Sequence, residues 1–141
     1  MKILKRSVLT RSSAEEAARI LKTCANDPAG FRFTDSLYSM DCTTRRNGEF
    51  LSRARVTGRV YGDPGAAAVD IEIHGDLAFF FGGALLLLGF IALLYSLVFS
   101  RAGWFLYLGL MVIGLFPMAQ TLCRGTELLD IIEHKLTRVT E

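Results

Sequence analysis

The sequence predicts an α+β protein with membrane helices: a cytosolic β-α-β-β-β antiparallel sheet, a transmembrane helical hairpin, and a C-terminal amphipathic helix docking on the sheet. Three observations predict it. Residues 77–99 and 103–123 contain no Asp, Glu, Lys or Arg and are separated only by Ser100-Arg101-Ala102. As helices these runs would be roughly 30–35 Å long, enough to cross a hydrocarbon core about 30 Å thick. Apolar and polar residues alternate through 31–34, 38–43, 50–61 and 69–74, the period of half-buried strands. Two further stretches, 14–25 and 126–139, carry apolar residues at helical spacing. The domains follow as 1–76, a cytosolic α+β layer, then 77–123, the hairpin, then 124–141, the closing helix.

The chain opens on a weak strand, Lys2 to Thr10, with Ile3, Leu4, Val8 and Leu9 as its apolar members. No apolar run of signal-peptide length occurs there, because Lys5, Arg6 and Ser7 interrupt it. Ser13-Ala14-Glu15-Glu16 is a capping box, in which the serine hydroxyl takes the amide of the third helical residue. Behind it Ala14, Ala17, Ala18, Leu21, Cys24 and Ala25 form one helical face, small enough to sit close on a sheet. Asn26-Asp27-Pro28-Ala29-Gly30 ends the helix.

The second strand is read from Phe31 through Cys42, the third from Phe50 to Tyr61 after the turn Arg45-Arg46-Asn47-Gly48. For Tyr38, Met40 and Cys42 to share a face with Ala54, Val56 and Gly58, paired numbers must sum to an even value, near 96. A two-residue loop with 46 opposite 49 gives 95, so the expectation is a three-residue loop, Asn47-Gly48-Glu49. The fourth strand places Val69, Ile71 and Ile73 inward, and Asp70, Glu72 and His74 outward. An odd sum near 129 sets Arg59 by Asp70, Thr57 by Glu72, Arg55 by His74 and Arg53 by Asp76, with Asp41 meeting Arg55 from the other side. Each such pair is worth at most about 1 kcal/mol.

In the hairpin, Ala78, Gly82, Gly89, Ala92 and Ser96 fall on one line of the first span, and Gly103, Gly114 and Thr121 on one line of the second. These smooth faces are the candidate helix-packing surface, between spans of one chain or between chains in a homo-oligomer. Pro117 is expected to kink the second span, and Tyr95, Trp104 and Tyr107 to mark the outer interface. Basic residues flank the spans on one side, Arg59 before and Arg124, Lys135 and Arg138 after, with Arg101 alone in the connection. The positive-inside rule then places both termini in the cytoplasm of a bacterial inner membrane. In the last stretch Leu128, Leu129, Ile132, Leu136 and Val139 share a face, and the other residues are too acidic for a typical interfacial helix.

A net charge of +2, from 16 Lys and Arg against 14 Asp and Glu, excludes a nucleic-acid binder as the ordinary reading. Cys24, Cys42 and Cys123 are too widely spaced for a CxxC site or a disulfide framework and suit a reducing compartment. No cofactor or metal is expected. His74 and His134 are the only histidines, and Asp130 with His134 is the one spacing that resembles an acid-base or metal pair, with no further Cys or His to complete it. The densest basic feature is Arg53, Arg55 and Arg59 with Arg45 and Arg46 at the adjacent turn, a candidate contact for an anionic surface. Its bland alternative is a solvated face neutralised by Asp41, Asp70, Glu72 and Asp76.

Phe31-Arg32-Phe33, Gly58-Arg59-Val60 and Val69-Asp70-Ile71-Glu72-Ile73, ahead of a hydrophobic hairpin and a short amphipathic tail, give a layout that resembles small bacterial membrane proteins with two transmembrane helices and no assigned role. The resemblance implies a membrane location and carries no activity and no site residue. The function expected from the residues is a non-enzymatic interaction, accessory or regulatory protein whose cytosolic domain lies at the membrane and binds a protein partner. An oligomeric channel or transporter subunit is the alternative, and a membrane enzyme using His74, Asp76, Asp130 or His134 the third.

Overall fold

The computed structural model describes residues 1–25, 27–46, 49–99 and 103–138, and gives the backbone course alone for 43–46 and 49–53. The chain forms two units, Met1–Gly75 with Arg124–Glu141, and Asp76–Cys123. The elements in order are β1 (Lys2–Thr10), α1 (Ala14–Cys24), a 3-10 turn (Pro28–Gly30), β2 (Arg32–Thr34), β3 (Leu37–Arg46), β4 (Glu49–Asp63), β5 (Ala66–His74), α2 (Leu77–Phe99) and α3 (Trp104–Arg138).

The first unit is built on an open five-stranded sheet in the order β1-β5-β4-β3-β2, with every pairing antiparallel. The single strand expected from Phe31 through Cys42 is two strands. Asp35 and Ser36 both take positive φ, 47° and 69°, and turn the chain so that Thr34 faces Leu37. This is the geometry of a two-residue hairpin, which Asp tolerates because its short polar side chain suits the left-handed region. The even register still holds at the turn, where the amide of Val60 donates to the carbonyl of Ser36 at 2.7 Å.

That register is the one the sequence predicts: Met40 faces Val56 and Asp41 faces Arg55. The expected three-residue loop is not formed. Arg46 faces Glu49, a two-residue connection, and a bulge between Thr44 and Arg45 supplies the one-residue shift instead. The residues of the connection itself, Asn47 and Gly48, lie outside the described residues. On the other side of β4, Arg55 faces His74 and Thr57 faces Glu72, as expected. The ladder between β4 and β5 is interrupted between Thr57 and Val60, however, so Arg59 and Asp70 are not a bonded pair. β5 ends at His74, which leaves Arg53 no Asp76 to face; Asp76 instead caps α2, accepting from the amide of Phe79 at 3.0 Å.

One sheet face is covered. Ser13 caps α1, its hydroxyl accepting from the amide of Glu16 at 3.3 Å, and Ala17, Ala18 and Leu21 are buried beneath the helix. Leu128, Leu129, Ile132 and Leu136 of α3 are at most 5% exposed and share one core with Val8, Met40, Val56, Val60, Val69 and Ile71. Each buried aliphatic side chain contributes roughly 1.5–3 kcal/mol. A Cβ on Gly125 would stand 2.7 Å from Leu4 Cδ1, which is the reason a glycine fits this turn of the helix. Arg6, on the same face at the edge of the core, donates to Asp130 Oδ1 and Glu133 Oε2, both at 2.8 Å. These bonds raise its pKa further above the ordinary arginine value. α3 runs unbroken from Trp104 through Pro117 and Arg124 to Arg138, so the second apolar run and the amphipathic tail are one helix of 35 residues.

In the second unit α2 and the first part of α3 are each long and apolar enough to cross a membrane, and only 11% and 6% of their most apolar windows are buried within the chain. A soluble core helix would bury most of such a surface. Gly82 and Gly114 face each other: a Cβ on either would lie 2.6 Å from the carbonyl oxygen of the other. Gly89 takes Met111 and the carbonyl of Tyr107 in the same way, and Ser96 is 3% exposed. Ala92 and Thr121 are half-buried, Thr121 donating to the carbonyl of Pro117 at 2.9 Å. Two expected members of this face are elsewhere. Ala78 is exposed, and Gly103 precedes α3 with φ 87° and open space around it. Arg101 lies outside the described residues.

Candidate functional site on the uncovered sheet face

Among the described residues of this unit no helix packs on the second face of the sheet, and strand pairing decides what it presents. A bulge between Lys2 and Leu4 lets Lys2 face His74 while Lys5 faces Glu72. Those partners are two apart on β5, so both lysines point to the uncovered face although they are three apart in sequence. Strict alternation along β1 would have put one of them in the core.

Beside them the acids of β5 are already engaged. Lys2 Nζ lies 2.8 Å from Glu72 Oε1, and Lys5 Nζ lies 3.8 Å from Asp70 Oδ2 and 3.9 Å from Glu72 Oε1. The Ser7 hydroxyl donates to Asp70 Oδ1, and the Tyr61 hydroxyl reaches the same oxygen at 3.5 Å. Asp70 and Glu72 therefore neutralise β1 and not the arginines of β4. Among the described residues neither Arg55 nor Arg59 makes an ion pair. The side chains of Arg45, Arg46 and Arg53 lie outside the described residues.

A groove of about 850 Å³ runs across this face, with Leu37, Arg59 and Tyr61 on one bank, Lys2 and Lys5 on the other, and Glu72 between them. Its floor is shaped by one residue pair. Tyr38 lies opposite Gly58, and its hydroxyl passes over the glycine to donate to the backbone carbonyl of Asp70 at 2.8 Å. That carbonyl is the acceptor left over by the gap in the ladder. A Cβ at position 58 would stand 1.8 Å from it, so only glycine fits. Burial, with the charge of Asp70 adding to it, pushes the pKa of the Tyr38 hydroxyl up and keeps it a donor.

The other candidates are dispersed. His74 bonds Thr57 Oγ1 through Nε2 at 2.7 Å on the uncovered face, whereas His134 belongs to α3, which packs on the covered face. The two histidines are on opposite sides of the sheet, and Asp130 is occupied by Arg6. No cluster of three or more metal-ligating side chains occurs among the described residues. Cys42 is buried, its thiol donating to the carbonyl of Cys24 at 3.7 Å, and burial pushes its pKa up to about 12. Burial also raises the pKa of Cys24, against a smaller opposing effect of Lys135. Both shifts favour the protonated thiol over the thiolate. The site offers guanidinium groups with no ion-pair partner among the described residues, exposed apolar side chains and a concave floor.

Neither the protein-family models nor the curated proteins nor the solved structures contain a match to this chain.

Proposed function

We propose that the protein is a membrane-anchored binding module without catalytic chemistry of its own, which holds a protein partner on the uncovered face of its sheet. The observation that carries this reading is the asymmetry of the sheet, closed by α1 and α3 on one face and left with a groove and unpaired arginines on the other. An antiparallel sheet commonly leaves one face to solvent, so what supports the reading is the groove on that face and the arginines beside it that form no ion pair among the described residues.

In this reading the two apolar helices insert as a hairpin in a bacterial inner membrane, with both termini in the cytoplasm, and the amphipathic end of α3 is the docked cover of the sheet. The close approach of Gly82 and Gly114 within one chain supports the hairpin as an anchor, because the faces that a channel would use between chains are already in contact. The test is a photo-crosslinking amino acid at Ser39, which faces Arg32 and Thr57 on the same side of the sheet, compared with the same probe at Arg19 on the outer side of α1, in native membranes. A discrete adduct from position 39 alone is expected. Equal adducts from both positions, or none from either, would refute the module.

A further inference from the structure

We infer that the occupant of the uncovered face is an acidic segment of protein chain, laid across β3 and β4 with carboxylates on Arg55 and Arg59 and an apolar side chain against Leu37 and Tyr61. The inference rests on the binding-module reading and adds the chemistry of the partner.

The two halves of the face differ in charge balance. On β1 and β5 the lysines and the acids are matched and paired, Lys2 and Lys5 with Asp70 and Glu72. On β2, β3 and β4 the outward residues include Arg32, Arg55 and Arg59, with the carboxylates of Asp41 and Asp63 on the same face, and among the described residues these arginines form no ion pair. A guanidinium is a planar fork that takes a carboxylate through two parallel hydrogen bonds, so unmatched arginines select carboxylates more sharply than lysines would. Beside Arg59, Leu37 is 51% exposed and Tyr61 46% exposed, which gives the segment an apolar anchor next to its charge.

The same pattern disfavours other occupants. A flat anionic bilayer pressed on this face would meet Asp41, Asp70 and Glu72 together with the arginines, whereas a narrow chain can place its acids on one half only. A second copy of this face would set arginines against arginines. An extended segment of about eight residues spans roughly 26 Å, enough to cross the sheet at about 4.8 Å per strand.

The test is fluorescence anisotropy on the full-length protein in neutral detergent, with a labelled peptide of about 12 residues alternating Glu with Leu and Tyr, and an analogue with Gln for Glu. The Glu peptide is expected to bind at least about tenfold more tightly than the Gln peptide and to weaken as salt is raised. Arg59→Gln should weaken the Glu peptide about tenfold and Arg55→Gln severalfold, while Arg19→Gln on the outer side of α1 changes it less than about twofold. Equal binding of the two peptides, or binding of neither, overturns the inference. So does binding to phosphatidylglycerol vesicles that Arg59→Gln abolishes while the Glu peptide is ignored, which would assign the face to lipid. Self-association lost in Arg59→Gln, without peptide binding, would assign it to a second copy. An adduct at position 39 in membranes together with equal peptide binding leaves the module standing and removes its acidic partner; the absence of any adduct removes the module, and the inference with it.

Discussion

The two faces of this sheet are made from the same strands by the same alternation, and they obey different rules. On the covered face Val56, Val60, Val69 and Ile71 are fully buried, and the fit against α1 and α3 fixes each side chain by volume. On the uncovered face Thr57, Glu72 and Asp70 are held by hydrogen bonds and ion pairs open to water. Neighbouring residues of one strand can therefore be exchanged at very different cost. Ile71→Ala should destabilise the sheet unit by about 4 kcal/mol, through lost transfer energy and the cavity left behind. Glu72→Ala, one residue away, should cost no more than about 1 kcal/mol, because its lysine partners are exposed and return to solvent. Denaturant melts of the two variants, followed by circular dichroism, measure the contrast directly; comparable losses would mean that the uncovered face is packed in the native protein.

The faces meet at Gly58, where the backbone itself forms the floor of the groove. Gly58→Ala should cost about 3 kcal/mol, since the methyl group can be accommodated only by moving β5 away from β4. It should also widen the groove and weaken any ligand held by Arg59. Tyr38→Phe keeps the ring over the glycine and removes only the hydrogen bond to the Asp70 carbonyl, for an expected loss of about 2 kcal/mol. A Tyr38→Phe variant as stable as the wild type would show that water reaches that carbonyl from the groove.

The covered face was readable from the sequence because burial imposes periods that a sequence records. The alternation around Met40 and Val56 fixed an even register, and Asp41 does face Arg55. The helical spacing of Ala17, Ala18 and Leu21 marked a face that is buried. What escaped were the departures from periodicity, each a one-residue event that leaves composition unchanged. The bulge at Thr44 and Arg45 made a two-residue connection compatible with a register that seemed to forbid it. The bulge after Lys2 brought a second lysine onto the uncovered face, and with it the partners that Asp70 and Glu72 take in place of Arg59. The candidate site was accordingly half legible: Arg55 and Arg59 could be named, but their lack of partners depended on where β1 pairs. The Tyr38 and Gly58 pair had a signal in the even register, which already set an aromatic residue opposite a glycine.

A further test of the covered face works through protons instead of volume. Cys42 lies in the core with its thiol pKa pushed up to about 12 by burial, and Cys24 is raised in the same direction. In the unfolded chain a cysteine titrates near 8.5. Below that pH both states keep the proton and the thiol adds no pH dependence. Above it the unfolded chain loses the proton first, so stability falls as pH rises and continues to fall until the folded value is reached. The loss should be about 2 kcal/mol between pH 8 and pH 10, with Tyr38 adding to it only above about pH 10. Cys42→Ala should lower stability at neutral pH by removing buried volume, yet flatten the decline over this window. Denaturant melts of the detergent-solubilised protein at pH 8, 9 and 10 measure the slope. If Cys42→Ala retains the wild-type decline, the thiol reaches water in the folded protein, and the covered face is less closed than its packing indicates.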